Sequence, residues 1–181
     1  MLDSSLFARW APLPLRLIVG YGFIVHGYAK LSRGPDTFAA VLHTLGAPLP
    51  HLLAWLTTLV ELVGGFAILV GAFVPVAAVP MAIVLVTALL TIHLPYGFFS
   101  VKLVEVSATG TKFGPVGYEV ILLYLAGLAA LVAGGAGPLS VDAWRGGVWP
   151  RSAWRGGQSS LPLRRICHQP NADTDQGHAC N

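Results

Sequence analysis

Four long apolar stretches, over residues 13–31, 52–74, 76–97 and 117–136, constrain this chain more than any other feature. An α-helix needs about 20 such residues to cross the hydrocarbon core of a bilayer. None of the four alternates with a period of two, as the strands of a transmembrane barrel would, and backbone groups in lipid must be satisfied internally, so helices remain. Only 10% of the 181 residues are charged and 55% are hydrophobic, whereas soluble domains carry about 25% charge. This excludes an ordinary cytosolic globule and, for most of the length, a disordered chain. The expected fold is all-α: an integral membrane four-transmembrane-helix bundle over residues 1–142, with a flexible C-terminal tail over 143–181 that is basic and rich in Trp, Arg and Gly.

The connections differ in kind. Residues 32–50 form a polar loop with Arg33, Gly34, Pro35 and Asp36, whereas spans two and three are joined by a tight Phe73-Val74-Pro75 hairpin. A loop over 98–116 holds Lys102, Glu105 and Lys112. Arg9, Arg16, Arg145, Arg151, Arg155, Arg164 and Arg165 fall on one side of the bundle, and Lys30, Arg33, Lys102 and Lys112 on the other. The positive-inside rule then puts both termini in the cytoplasm, and the protein in the inner (cytoplasmic) membrane as a multi-pass chain. The first run ends in His26-Gly27-Tyr28-Ala29-Lys30 without a small-x-small cleavage site, so it is expected to stay as a span and not to act as a cleaved signal.

An ionisable group at the centre of a span costs about 2.5–3.5 kcal/mol and faces the bundle interior. Each helix carries one: His26, Glu61, His93 and Glu119. With a rise of about 1.5 Å per residue, His26 and His93 lie about 6–7 Å below the outer ends of their helices. Glu119 sits at the same level, and Glu61 lies deeper, near the midplane. Glu61 shares a helical face with Thr57, Thr58, Gly64 and Gly65, and Glu119 with Ala126, Ala130 and Gly134. Small residues line tight helix contacts in membranes, so both carboxyls should point inward. Lys30 and Arg16, near span ends, are expected to snorkel to the interface.

These groups admit three readings. They could hydrogen-bond one another, Glu61 to His26 or Glu119 to His93, and merely fix helix register. They could form a proton-handling or quinone pocket, since a His beside a carboxylate exchanges protons near neutral pH. Finally, His26 and His93 could ligate a haem b from two helices.

Five segments in order resemble the DoxX family of four-helix membrane proteins, over about Pro14 to Trp144. They are Arg16-Leu17 with Phe23-Ile24-Val25-His26-Gly27-Tyr28-Ala29-Lys30-Leu31, then Glu61-Leu62-Val63-Gly64-Gly65, and His93-Leu94-Pro95-Tyr96-Gly97. Gly117-Tyr118-Glu119 and Gly135-Ala136-Gly137-Pro138-Leu139-Ser140-Val141-Asp142 complete the set. The resemblance implies a membrane-associated, quinone-linked redox protein, and it marks His26, Glu61, His93 and Glu119 as matching positions.

The expected function is a quinone-linked redox subunit. His26 and His93 would hydrogen-bond the quinone carbonyls, Glu119 would exchange protons with the outer face, and Glu61 would orient a histidine or extend the relay. The spans hold no thiol and the chain no nucleotide motif, so a partner redox subunit is expected, alongside membrane lipid and a possible homo-oligomer; nucleic acid is not an expected partner. The alternative is a non-catalytic structural or assembly subunit of a larger membrane complex. In the tail, a near repeat (Trp144-Arg145-Gly146-Gly147, Trp154-Arg155-Gly156-Gly157) suits anionic headgroups or an ordinary basic extension, the latter preferred. Cys167, His168, His178 and Cys180 fit no common zinc spacing, so no metal is expected.

Overall fold

In a computed structural model describing residues 9–108 and 110–146, the first apolar run forms helix α1, Pro12–Arg33. Proline in its first turn supplies a helical φ where no N–H is needed, and Gly34, at φ +85°, ends it. The described residues all fall within the first of the two units into which the chain divides, Met1–Trp149. The second copy of the Trp-Arg-Gly-Gly repeat and both cysteines lie outside the described residues.

The expected polar loop over 32–50 contains a further helix, α2, Pro35–Thr44. Pro35 and Asp36 in its first turn are the usual opening signals, the carboxylate facing the positive end of the helix dipole. Helix α3 spans Pro50–Val70 and ends in Gly71 with left-handed φ and ψ, where Ala72 N–H bonds back to Ala67 O at 2.8 Å. Phe73, also left-handed at φ +49°, leads into α4, Val74–Ala88. This helix continues through a π turn, Leu89–His93, and a 3-10 turn, Leu94–Tyr96. The widening has local causes: Pro95 has no N–H to give the α ladder and crowds the carbonyl four residues back, while Thr91 Oγ1 bonds Thr87 O at 2.8 Å.

The loop over 98–116 carries strands β1, Leu103–Ser107, and β2, Gly110–Phe113, paired antiparallel with Glu105 opposite Lys112. The expectation of an all-α chain is therefore corrected by one small hairpin, whose Val104-Glu105-Val106 alternation is a strand period. Helix α5, Glu119–Gly134, and the short α6, Val141–Trp144, complete the described elements.

Helices α1, α3, α4 and α5 form a ring, with consecutive members in contact and α5 closing on α1. The tightest seam joins α1 to α3. A Cβ at Gly20 would lie 2.8 Å from Gly65 O, and one at Gly65 would lie 2.9 Å from Gly20 O, so two backbones touch where side chains are absent. Val19, Phe23, Ile68, Met81, Leu128 and Leu131 fill the centre. The outside is equally apolar: Ile18, Val63, Phe66, Val79, Ile83 and Leu123 are each more than half exposed. Two helices, Pro50–Val70 and Val74–Tyr96, are long and apolar enough to cross a membrane, and α5 is a shorter apolar helix. Helix α1 has the length but carries Arg16, Lys30 and Arg33.

Candidate functional site

Two buried charges organise the bundle, one near each end. Near the start of α1, Arg16 is 3% exposed. Its Nε donates to Leu69 O at 3.1 Å, Nη1 to Ala136 O at 2.5 Å, and Nη2 to Leu139 O. Leu69 lies in the last turn of α3 and Ala136 just past the end of α5, so one guanidinium caps the negative ends of two helix dipoles. The expectation that Arg16 snorkels is thus corrected. At the same end Asp142 accepts from Phe73 N at 2.9 Å and Val74 N at 3.2 Å, capping α4, and the Arg145 guanidinium stands 5.1 Å from the centre of the Phe73 ring.

Towards the other end of α1, Lys30 Nζ meets Glu61 Oε1 at 2.5 Å. The register follows from the Gly20–Gly65 contact: two antiparallel turns further along, Gly27 lets α1 approach Glu61 and Leu62. The Lys30 side chain also passes over the Phe38 ring of α2, 4.7 Å from its centre. Lys30 therefore does not snorkel either; it bends inward to the carboxylate. Glu61 is 5% exposed, and its Oε2 is the one buried side-chain N or O among the described residues without a hydrogen-bond partner.

Around this pair lies a cavity of about 370 Å³, within the usual size range of small-molecule sites. His26, Lys30, Thr57, Glu61, His93 and Tyr124 give it polar atoms, and Phe23, Phe38, Leu85, Ile92 and Ile121 give it apolar walls. His93 sits at the end of the π turn, and its Nδ1 donates to Val116 O at 2.9 Å. A carbonyl can only accept, so a neutral His93 carries its proton on Nδ1 and has Nε2 as an acceptor. His26 and Val120 line the cavity while remaining exposed, which places an opening along the α1–α5 flank. Deeper on that seam, the Phe23 and Tyr124 rings close the floor edge to face, with centroids 5.5 Å apart.

Of the four residues singled out from the sequence, His26, Glu61 and His93 come together on this cavity, and Glu119 does not line it. Glu119 Oε2 accepts from Ser100 N at 3.1 Å, while Val120 N donates to Ser100 Oγ at 3.3 Å. This reciprocal pair ties the loop onto the first turn of α5. The direct Glu61–His26 and Glu119–His93 bonds considered above are not formed; Lys30 and Ser100 take those carboxylates. Lys30 is the site residue that the sequence reading missed. Its signal was its place four residues after His26, on the same helical face.

Two membrane-length apolar helices, packed with a charged helix around a mostly apolar cavity that holds six polar residues, fit a membrane-associated helical protein. The chain belongs to the DoxX family, whose profile matches residues 11–94. That match takes in α1 to the π turn and five of the cavity's six polar residues, His26, Lys30, Thr57, Glu61 and His93. The chain is also 30% identical, over 130 residues, to an uncharacterized protein of Haemophilus influenzae; the alignment covers 71% of this chain and 85% of the relative. No solved structure matches the chain.

Proposed function

We propose that this protein is a four-span subunit of the inner membrane that binds a quinone-type ring in the Lys30–Glu61 cavity and works with a partner redox protein. In this reading α1, α3, α4 and α5 are the spans and both termini are cytoplasmic, as the distribution of Lys and Arg suggests. The observation that carries it is a buried carboxylate with one oxygen unused, beside a mostly apolar cavity that opens on a flank of the bundle. A lipid-soluble ring with an apolar tail fits such a flank opening, since the tail can stay in the bilayer. The apolar outer surface supports membrane burial on all sides.

A bound quinone would supply two-electron, two-proton chemistry, with the partner protein as its electron partner. The chain's own residues bind the ring and handle protons. Phe23, Phe38 and Tyr124 would flank the ring, and His26, His93 and Glu61 would contact its oxygens. The Lys30–Glu61 pair would hold charge close to the ring without exposing it to lipid. Glu119 secures the loop over the cavity rather than reaching into it.

A second reading, a structural or assembly subunit, is favoured by the Arg16 clamp and by the fact that Lys30 and Glu61 already partner one another. Gentle detergent purification followed by mass spectrometry of extracted lipids separates the two. Near-stoichiometric quinone, lost on replacing His26 or His93 in a folded protein, is the expected result. A Soret band would replace the quinone with haem b held by those histidines. Neither signal, with partner proteins co-purifying, would favour the structural subunit.

A further inference from the structure

Resting on the quinone-site reading, we infer that the cavity selects the reduced, hydroxyl-bearing form of the ring, through two acceptors that line it, Glu61 and His93. The first is the Glu61 carboxylate of α3. Its Oε1 is held by Lys30, and its Oε2 is buried with no donor. An unmade hydrogen bond at a buried carboxylate oxygen is costly, and a carboxylate can only accept. The second is His93, at the end of the π turn that follows α4. With Nδ1 committed to Val116 O, the neutral imidazole has only a lone pair left, on Nε2.

A ring bearing two opposed hydroxyls offers two donors to two acceptors. The oxidised ring offers only carbonyl oxygens, which can bond neither a carboxylate oxygen nor an imidazole lone pair. One Lys30 N–H is engaged by Glu61 Oε1 and the ammonium lies over Phe38. Its remaining N–H groups, with the Thr57 and Tyr124 hydroxyls, are the donors left to an oxidised ring, and they set the limit of the preference. The same logic extends to other lipid-soluble phenols, which share the O–H donor.

The test is equilibrium binding to the full chain in detergent under anaerobic conditions. The probes are a decyl-tailed benzoquinone and the same compound chemically reduced. Wild-type protein is expected to bind the reduced probe about tenfold or more tightly, the scale of one hydrogen bond to a charged acceptor. Glu61→Gln, whose amide can also donate, is expected to bring the two affinities to within about twofold of each other. Equal affinities in the wild type, or tighter binding of the oxidised probe, would overturn the inference while leaving a quinone site in place. A preference that survives in Glu61→Gln would overturn the role given to Glu61. Binding of neither probe would overturn the quinone-site reading and this inference with it. If Glu61→Gln fails to fold, the wild-type ratio alone decides.

Discussion

The two ends of α1 face the same difficulty, a cation carried into an apolar bundle, and meet it differently. At Arg16 all three guanidinium nitrogens have carbonyl partners, and Asp142 and Arg145 close the neighbouring α3–α4 turn. At Lys30 a single carboxylate oxygen takes the charge, its twin is left idle, and a cavity of about 370 Å³ surrounds the pair. The cavity near Asp142 is smaller, about 140 Å³. A site in which each guanidinium nitrogen has a carbonyl suits stability. A site with one carboxylate oxygen unpartnered has an acceptor that the proposed ring could use.

The largest effect should come from breaking the closed end. Arg16→Met leaves the carbonyls of Leu69, Ala136 and Leu139 without their donor, and about 1–3 kcal/mol per orphaned group makes the protein fail to accumulate or unfold far earlier. Thermal unfolding in detergent, followed by circular dichroism, reads this. Arg16→Lys should recover only part of the loss, because one ammonium cannot reproduce the planar fork. If Arg16→Met were as stable as wild type, the clamp would be decoration and the contrast between the ends would fail.

At the open end, stability and binding should separate. Lys30→Met alone strands the buried Glu61 charge, at a cost of about 3 kcal/mol. Adding Glu61→Leu should restore stability to wild type or beyond, since replacing a buried ion pair with apolar residues of similar size is often neutral or favourable. The same double variant should bind no ring probe. A double variant that remained as unstable as Lys30→Met would mean that the pair serves register, as at the closed end. Asp142→Ala comes next. It removes the cap on Phe73 and Val74 N–H and should cost about 1–2 kcal/mol, with affinity for the ring probe unchanged. Unfolding and binding measured on one preparation check both halves.

The sequence and the structure agree where the controlling physics is local. The apolar runs and the Gly64-Gly65 contact face follow from helical spacing and the cost of burying polar groups. Helical spacing puts Glu119 in one layer with His26 and His93 and sets Glu61 deeper, whereas the fold brings Glu61 onto a cavity with His26 and His93 and leaves Glu119 beside it. Lys30 and Arg16 were misread for a physical reason. A long cation near a helix end has two good outcomes, reaching the interface or finding a buried partner, and the choice depends on how closely another helix approaches. That approach is fixed by Gly20 against Gly65, a contact between segments 45 residues apart in sequence. The π turn that places His93 and the hairpin over 103–113 were hidden differently. Each lies at the edge of an apolar run or inside a loop, where helical periodicity has no voice, although Pro95 and Val104-Glu105-Val106 left traces.

The smallest expected effect falls on Glu119, and it tests how far the open end extends. By sequence Glu119 belongs with His26, Glu61 and His93; in the fold its carboxylate accepts from Ser100 N and sits in the first turn of α5, where the helix dipole favours an anion. Glu119→Gln keeps an oxygen for the Ser100 bond and loses only the charge, so stability should fall by about 0.3–1 kcal/mol. Affinity for the reduced ring probe should stay within about twofold of wild type, since no hydrogen bond to the ring is lost. Comparing this variant with Glu61→Gln in the same binding assay sets two glutamates, one on the cavity and one beside it, against each other. If Glu119→Gln weakened binding as much as Glu61→Gln does, the loop over residues 98–100 would belong to the site, and the open end would reach past His93 to the start of α5.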